Sequence, residues 1–270
     1  MQKAFSHIRL FAVLWHLPVG LSLASLYYLT CRWTGRSFST DYAWFLISAG
    51  AAGYTLMRLY HLKQQRALVR DFYRRHLYAT LLFLLTASAT ALAAWIRTGL
   101  SFRLLAVPAV FSLFYNLRTG NKWLSWREWG AFKILIVALV WAALTVYVPS
   151  GGRMQVPFYT AAATVLWVLM LIIPFDIRDL SLDEESLKTL PRLFREKTPA
   201  AGFVLYALFL AAIFAAPYGG CVRYAWAGGG LLSLTAILGA SRYEDRFFYT
   251  ALGVESIPVL TALAAWLICR

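Results

Sequence analysis

Nine apolar runs, each close to the length of a membrane-crossing helix, follow one another along this chain. They lie near residues 10–30, 42–62, 77–96, 104–117, 132–148, 156–174, 201–217, 224–240 and 253–269. A helix rises 1.5 Å per residue, so about 20 apolar residues cross a typical hydrocarbon core, and several of these runs are shorter. Helix breakers stand where loops are needed, at Gly35, Thr119-Gly120-Asn121, Pro149-Ser150-Gly151-Gly152 and Gly219-Gly220. Charged residues make up 14% of the chain, against about 25% in ordinary globular proteins. Apolar residues make up 60%, and the mean hydropathy is +0.61. A soluble domain of this size would need a more polar surface. The expected fold class is all-α, a polytopic membrane protein of about nine transmembrane helices, with residues 1–270 forming one domain. Neither a linker nor a low-complexity tract interrupts it.

Orientation follows from the distribution of Lys and Arg. With the N-terminus inside, nineteen of the 26 basic residues fall on the inner side and seven on the outer side. This positive-inside bias places the N-terminus in the cytoplasm and, after nine spans, the C-terminus outside. The expected setting is a bacterial inner membrane. The net charge of +14 sits mainly in short cytoplasmic loops facing anionic headgroups, so it does not argue for nucleic acid. Lys3 and Arg9 precede an apolar stretch as in a signal peptide, but His16 and Pro18 interrupt it. It reads as a retained first helix. Cys31, Cys221 and Cys269 have no metal-ligand spacing and all fall on the expected outer side. A Cys31–Cys221 disulfide is conceivable there; three unpaired structural cysteines are the expectation.

Against this oily, basic background, five of the twelve acidic residues gather just after the sixth run, in Pro174-Phe175-Asp176-Ile177-Arg178-Asp179-Leu180-Ser181-Leu182-Asp183-Glu184-Glu185. Spacings of three and four would put Asp176, Asp179 and Asp183 along one face of a continued helix. Converging carboxylates repel one another unless a cation sits among them, and hard oxygen ligands favour Mg²⁺ or Ca²⁺. From spacing alone, a solvated acidic helix end serves equally well.

Two inner loops share the cytoplasmic side. One follows Tyr115-Asn116-Leu117-Arg118-Thr119-Gly120-Asn121-Lys122 and leads to Lys133; the other carries the acidic cluster and Lys188. Carboxylates together with Lys and Arg over a common cavity would suit a diphosphate.

With these residues in view, the chain resembles the UbiA-type intramembrane prenyltransferases along nearly its whole length. The segment from Asp176 to Asp183, followed by Lys188-Thr189-Leu190-Pro191, looks like the family's second aspartate-rich motif, with Asp179 and Asp183 as its Asp-x-x-x-Asp. Tyr115 to Lys122 is similar to the Tyr-containing end of the family's fourth helix. The resemblance implies a helical bundle around a lipid-accessible central cavity that binds a prenyl diphosphate through Mg²⁺. It further implies loss of diphosphate and transfer of the prenyl group to an acceptor. On that reading Asp176, Asp179 and Asp183 hold the metal, with Asp179, Asp183 and Lys188 catalytic. Arg58, Tyr115, Asn116, Arg118, Lys122, Lys133 and Arg178 face the diphosphate or the cavity. An aromatic-lined cavity would exclude water and face the allylic cation.

The sequence departs from the family at the end of the second run. Where the first aspartate-rich motif belongs, it reads Gly53-Tyr54-Thr55-Leu56-Met57-Arg58-Leu59-Tyr60-His61-Leu62-Lys63, without a carboxylate. Three readings follow: a transferase with Arg58 replacing half the metal site, an isoprenoid-binding protein without transfer, or a structural subunit with an Arg58–Asp179 ion pair. A charge inside a span costs roughly 2.5–3.5 kcal/mol on insertion scales, so Arg58 needs a partner or a watery cavity in each. Lys133 reads as a snorkelling lysine or a ligand. His16, His61 and Glu255 carry weaker claims, to a kinked backbone, the cytoplasmic end of the second span and a membrane boundary respectively.

Overall fold

A computed structural model of the chain describes residues 10–62, 67–116, 132–151, 158–180, 189–240 and 249–269. The long helices are α1 Leu17–Thr34, α2 Thr40–Tyr60, α4 Leu77–Thr98, α5 Ala106–Asn116, α6 Phe132–Ala142, α7 Phe158–Asp179, α9 Thr198–Ala215, α10 Val222–Gly239 and α11 Ile257–Ile268. Short helices α3 Ala67–Arg75 and α8 Leu190–Phe194 lie between them. No strand occurs among the described residues. A π-helical turn Ala143–Tyr147 and a 3₁₀ turn Val148–Ser150 extend α6, and a π-helical turn Tyr249–Val254 leads into α11. These elements fall in order on the nine expected runs. The chain is an all-α polytopic membrane protein.

Among the described residues, five segments are long and apolar enough to cross a membrane by themselves: Leu77–Thr98, Phe132–Ser150, Phe158–Asp179, Thr198–Ala215 and Tyr249–Ile268. In α1, α2 and α10, Gly, Ser and Thr dilute the apolar content, while α5 has only 11 residues. Outward-facing side chains on α4, such as Leu82, Leu85 and Ile96, are apolar and exposed, as a lipid-facing surface requires. The hydroxyls of Thr86 and Thr90 on this surface donate back to carbonyls of their own helix, which satisfies them towards lipid. Ser39 caps α2 by accepting from the Tyr42 N–H at 3.2 Å, with Asp41 in the first turn to complement the helix dipole. Gly99, at φ 67°, ends α4 in a left-handed turn that returns its N–H to Ile96.

The described chain forms two compact units, residues 1–24 with 39–100, and residues 25–38 with 101–270. In the first, Gly20 meets the backbone of Ile47. A Cβ on Gly20 would stand 2.3 Å from the Ile47 carbonyl oxygen, so only glycine allows this approach. Short α3 buries Val69, Phe72 and Tyr73, and the Tyr73 hydroxyl donates to the Leu14 carbonyl. Trp15 stacks on Phe83 with ring centroids 4.6 Å apart.

The second unit is built on α6, α7, α9, α10 and α11. Its core is aromatic: Trp226 packs on Trp33 and Trp167 at 4.6 and 5.0 Å between centroids, and Phe209 joins them. The buried Trp167 indole donates to Ser233 Oγ at 2.9 Å, which satisfies its one polar group. Gly229 makes room for that indole; a Cβ there would lie 2.4 Å from it.

One expectation is corrected here. A disulfide joins Cys221 to Cys269, while Cys31 is buried and unbridged. Cys221 immediately precedes α10 and Cys269 immediately follows α11. These antiparallel neighbours bring the two Cα atoms to 5.6 Å across 48 residues of sequence. Cys31 lies inside α1, a turn before its end.

Candidate functional site

Three chain segments of the second unit meet at the end opposite the disulfide: the start of α6, the last turn of α7 and the π-helical turn before α11. α7 runs apolar from Phe158 and carries Pro174 inside it, then changes character abruptly at Asp176. Its last residues are on one side too polar for the hydrocarbon core and on the other too buried to be solvated. Asp176 and Arg178 are 4% and 5% exposed. Such groups persist only when paired.

Pairing is what the geometry supplies. Lys133, buried in the first turn of α6, sets its Nζ 3.0 Å from Asp176 Oδ1. Arg178 grips Asp179 with two parallel bonds, Nε to Oδ1 at 2.7 Å and Nη2 to Oδ2 at 2.8 Å. This fork geometry is the strong form of a carboxylate–guanidinium pair. The remaining Arg178 nitrogen, Nη1, donates to the buried Thr250 hydroxyl at 2.9 Å. Its guanidinium carbon lies 5.1 Å from the centre of the Phe175 ring, a cation–π contact. Glu255 adds a favourable charge on Arg178, and its own N–H donates to the Thr250 carbonyl at 3.2 Å.

Beyond α7 the chain turns at Leu180, and helix α7 itself ends at Asp179. Arg192 Nη2 reaches back from α8 to the Leu180 carbonyl at 2.8 Å. This bond ties α8 to the end of α7. Asp183 and Lys188 belong to that segment and lie outside the described residues, as do Arg118 and Lys122. Tyr115 sits half-buried in the last turn of α5, with Asn116 as its final residue.

Arg58 belongs to the first unit, in the last turn of α2. Its charge acts on the buried Tyr73 phenol, which burial pushes above the ordinary tyrosine range while Arg58 pulls it back. Asp71 on α3 is exposed, and apart from Asp41, in the first turn of α2, this unit holds no other acid. His61 is buried at the C-terminal end of α2 with its ring 4.9 Å from Tyr60. His16 adopts φ 53° where the helix breaks before Leu17, and its ring is 5.9 Å from Tyr54.

The structure thus brings Asp176, Asp179, Arg178 and Lys133 to one end of one unit. Thr250 and Phe175 complete the arrangement. Sequence reasoning missed Thr250, since a threonine 72 residues after its partner carries no spacing signal. Phe175 stands in the motif itself, and its neighbour Arg178, three residues on, was the available hint.

Does this donor set fit Mg²⁺? Both oxygens of Asp179 are bonded to Arg178, and Asp176 is engaged with Lys133. A divalent ion here would stand beside two buried cations and, at Asp179, would have to displace a guanidinium that holds both oxygens. Among the described residues, no three His, Cys, Asp or Glu side chains group as a ligand set. The described carboxylates do not fit the metal.

No protein-family model matches the chain, and no curated protein sequence matches it. Solved structures do. A UbiA homologue from Archaeoglobus fulgidus bound to GPP and Mg²⁺ superposes with a TM-score of 0.64 at 16% identity, over 96% of each chain. The same organism's UbiA homologue bound to DMAPP and Mg²⁺ gives 0.59 at 14%, over 94% of this chain and 97% of the other. The apo structure of a UbiA homologue from Aeropyrum pernix gives 0.62 at 19%, over 93% and 98%. With its helices in the same order and almost no residue of either partner left over, this chain has the UbiA fold.

Proposed function

We propose that this protein binds a prenyl diphosphate within the membrane and transfers its prenyl group to an acceptor. The observation that carries this reading is the full-length fold match to homologues solved with GPP and with DMAPP. The polar end of the second unit supports it, because it concentrates charge beside an otherwise apolar interior. In such a transfer, the bond between the first prenyl carbon and the diphosphate oxygen breaks, and the electron pair leaves with the diphosphate. The acceptor then supplies the pair for the new bond and gives up a proton. On this reading Arg178 and Lys133 oppose the charge that grows on the leaving group. Apolar surroundings keep water from quenching the allylic cation.

One observation favours a second reading, in which the isoprenoid is held without transfer: the described cations already face carboxylates at 2.7–3.0 Å. Purified protein incubated with geranyl diphosphate and with DMAPP, and assayed for diphosphate release alongside ligand binding, separates the two. Binding with release supports transfer; binding without release leaves the holding role. Absence of binding at every prenyl chain length overturns both.

We also propose the N-in, C-out orientation. Its support is the basic asymmetry, joined by the Cys221–Cys269 bridge, which belongs on an oxidising face. Labelling of reduced Cys269 by a membrane-impermeant maleimide from outside intact cells is the expected result. Labelling only after lysis would reverse the assignment.

A further inference from the structure

We infer that the protein's own cations stand where a divalent metal would at this end of the molecule, and that a prenyl phosphate reaches it as the metal-free anion. The inference rests on the prenyl diphosphate reading above and specifies the form in which that ligand binds.

The pairing of these groups carries the argument. Buried Asp176 meets Lys133 at 3.0 Å, and half-buried Asp179 meets Arg178 through two bonds of 2.7 and 2.8 Å, with Glu255 as a third acid whose charge acts on Arg178. A metal cage needs carboxylate oxygens turned towards an empty centre, and here both Asp179 oxygens are turned to a guanidinium. That guanidinium is itself held from two other directions, by Thr250 Oγ1 at 2.9 Å and by the Phe175 ring. It is a fixed part of the structure, unlike a surface side chain free to swing aside. Coordination of Mg²⁺ by Asp179 would take from Arg178, at 5% exposure, the carboxylate that holds it with two bonds. The sequence points the same way in the other unit. Residues 53–63 contain no acid to hold a metal, and Arg58 stands among them.

Two measurements on the full-length protein in detergent test this. In the first, Mn²⁺ alone is titrated and followed by electron paramagnetic resonance. The expected titration shows no stoichiometric site, in the wild type and in Asp179→Asn alike. Any stoichiometric site overturns the inference. Its loss in Asp179→Asn would locate the metal at that carboxylate, and its persistence would locate it on other acids, such as those of residues 183–185. In the second, binding of geranyl thiolodiphosphate is compared in EDTA and in millimolar Mg²⁺. Affinities within twofold of each other are expected, and a tenfold or greater gain with Mg²⁺ overturns the inference. If the analogue binds in neither condition, the functional reading fails, while the Mn²⁺ titration still decides the question of the metal.

Discussion

The two ends of the unit formed by residues 25–38 and 101–270 are closed by different chemistry. At one end the Cys221–Cys269 bridge joins the start of α10 to the end of α11, and Arg32 donates to the Cys269 carbonyl at 2.5 Å. Trp33 and Arg223 both donate to the Tyr218 carbonyl, at 3.2 and 2.9 Å. Donors there end on backbone carbonyls, and a covalent bond does the rest. At the other end no bond of that kind exists, and Asp176, Lys133, Arg178, Asp179 and Thr250 hold three segments through charge. A disulfide holds its partners whatever the local charge; an ion pair holds only while both partners remain. The first end is built for permanence. The second keeps polar groups in a place where a charged ligand would exchange with them.

That difference sets the sizes of the expected mutational effects. Asp176→Asn removes the carboxylate that faces buried Lys133, and loss of one partner of a buried pair costs about 3–5 kcal/mol. A thermal unfolding midpoint far below wild type is expected, with most of the loss recovered in Lys133→Met/Asp176→Leu. Failure of that double variant to recover would mean the pair matters for more than mutual neutralisation. At the opposite end, Cys221→Ser with Cys269→Ser is expected to cost about 2–4 kcal/mol, equal to the effect of reductant on the wild type. Reductant should then leave the midpoint of the double serine variant unchanged. Because the ends share no described partner, the Asp176→Asn and serine effects should add to within about 0.5 kcal/mol. A larger departure would show the ends to be coupled.

Gly219→Ala is a smaller perturbation. At φ 115° the residue suits glycine, and an added Cβ would stand 2.1 Å from the Trp33 indole nitrogen. Crowding of this sort costs about 1–3 kcal/mol, to be read as a lower unfolding midpoint with ligand binding intact. Trp33→Phe keeps an aromatic ring against Trp226 while losing the bond to Tyr218, for about 0.5–1.5 kcal/mol. If it proves more damaging than Gly219→Ala, the indole contributes more through packing than through its hydrogen bond.

Much of the helical layout was legible beforehand, since an apolar run reports its environment directly. Every expected span overlaps a long helix, most within a few residues at each end. α5 was legible as short, and α7 as ending in charge. The candidate site was legible as a cluster of residue types but not as a set of pairs. Asp176 and Asp179 do share the last turn of α7, as their spacing of three predicts, yet they turn to different partners. Lys133 read equally well as a snorkelling lysine or a ligand, and Thr250 carried no signal at all. The cysteines show the same boundary: three outer-side residues are visible in the sequence, and the choice of Cys221 with Cys269 is not.

Hydropathy and charge are properties of single residues summed along the chain, so the sequence alone determined that this is a helical membrane protein, which runs form its long helices and where its charges collect. Which carboxylate faces which cation, and which cysteine faces which, depends on what helix lies beside what helix. Lipid rewards every apolar surface alike, and a helical period names a face without naming its neighbour. Only the packing of α6, α7, α10 and α11 decided that Asp176 would meet Lys133, that Arg178 would meet Thr250 and that Cys221 would meet Cys269, and the first two shape what this end of the molecule can bind.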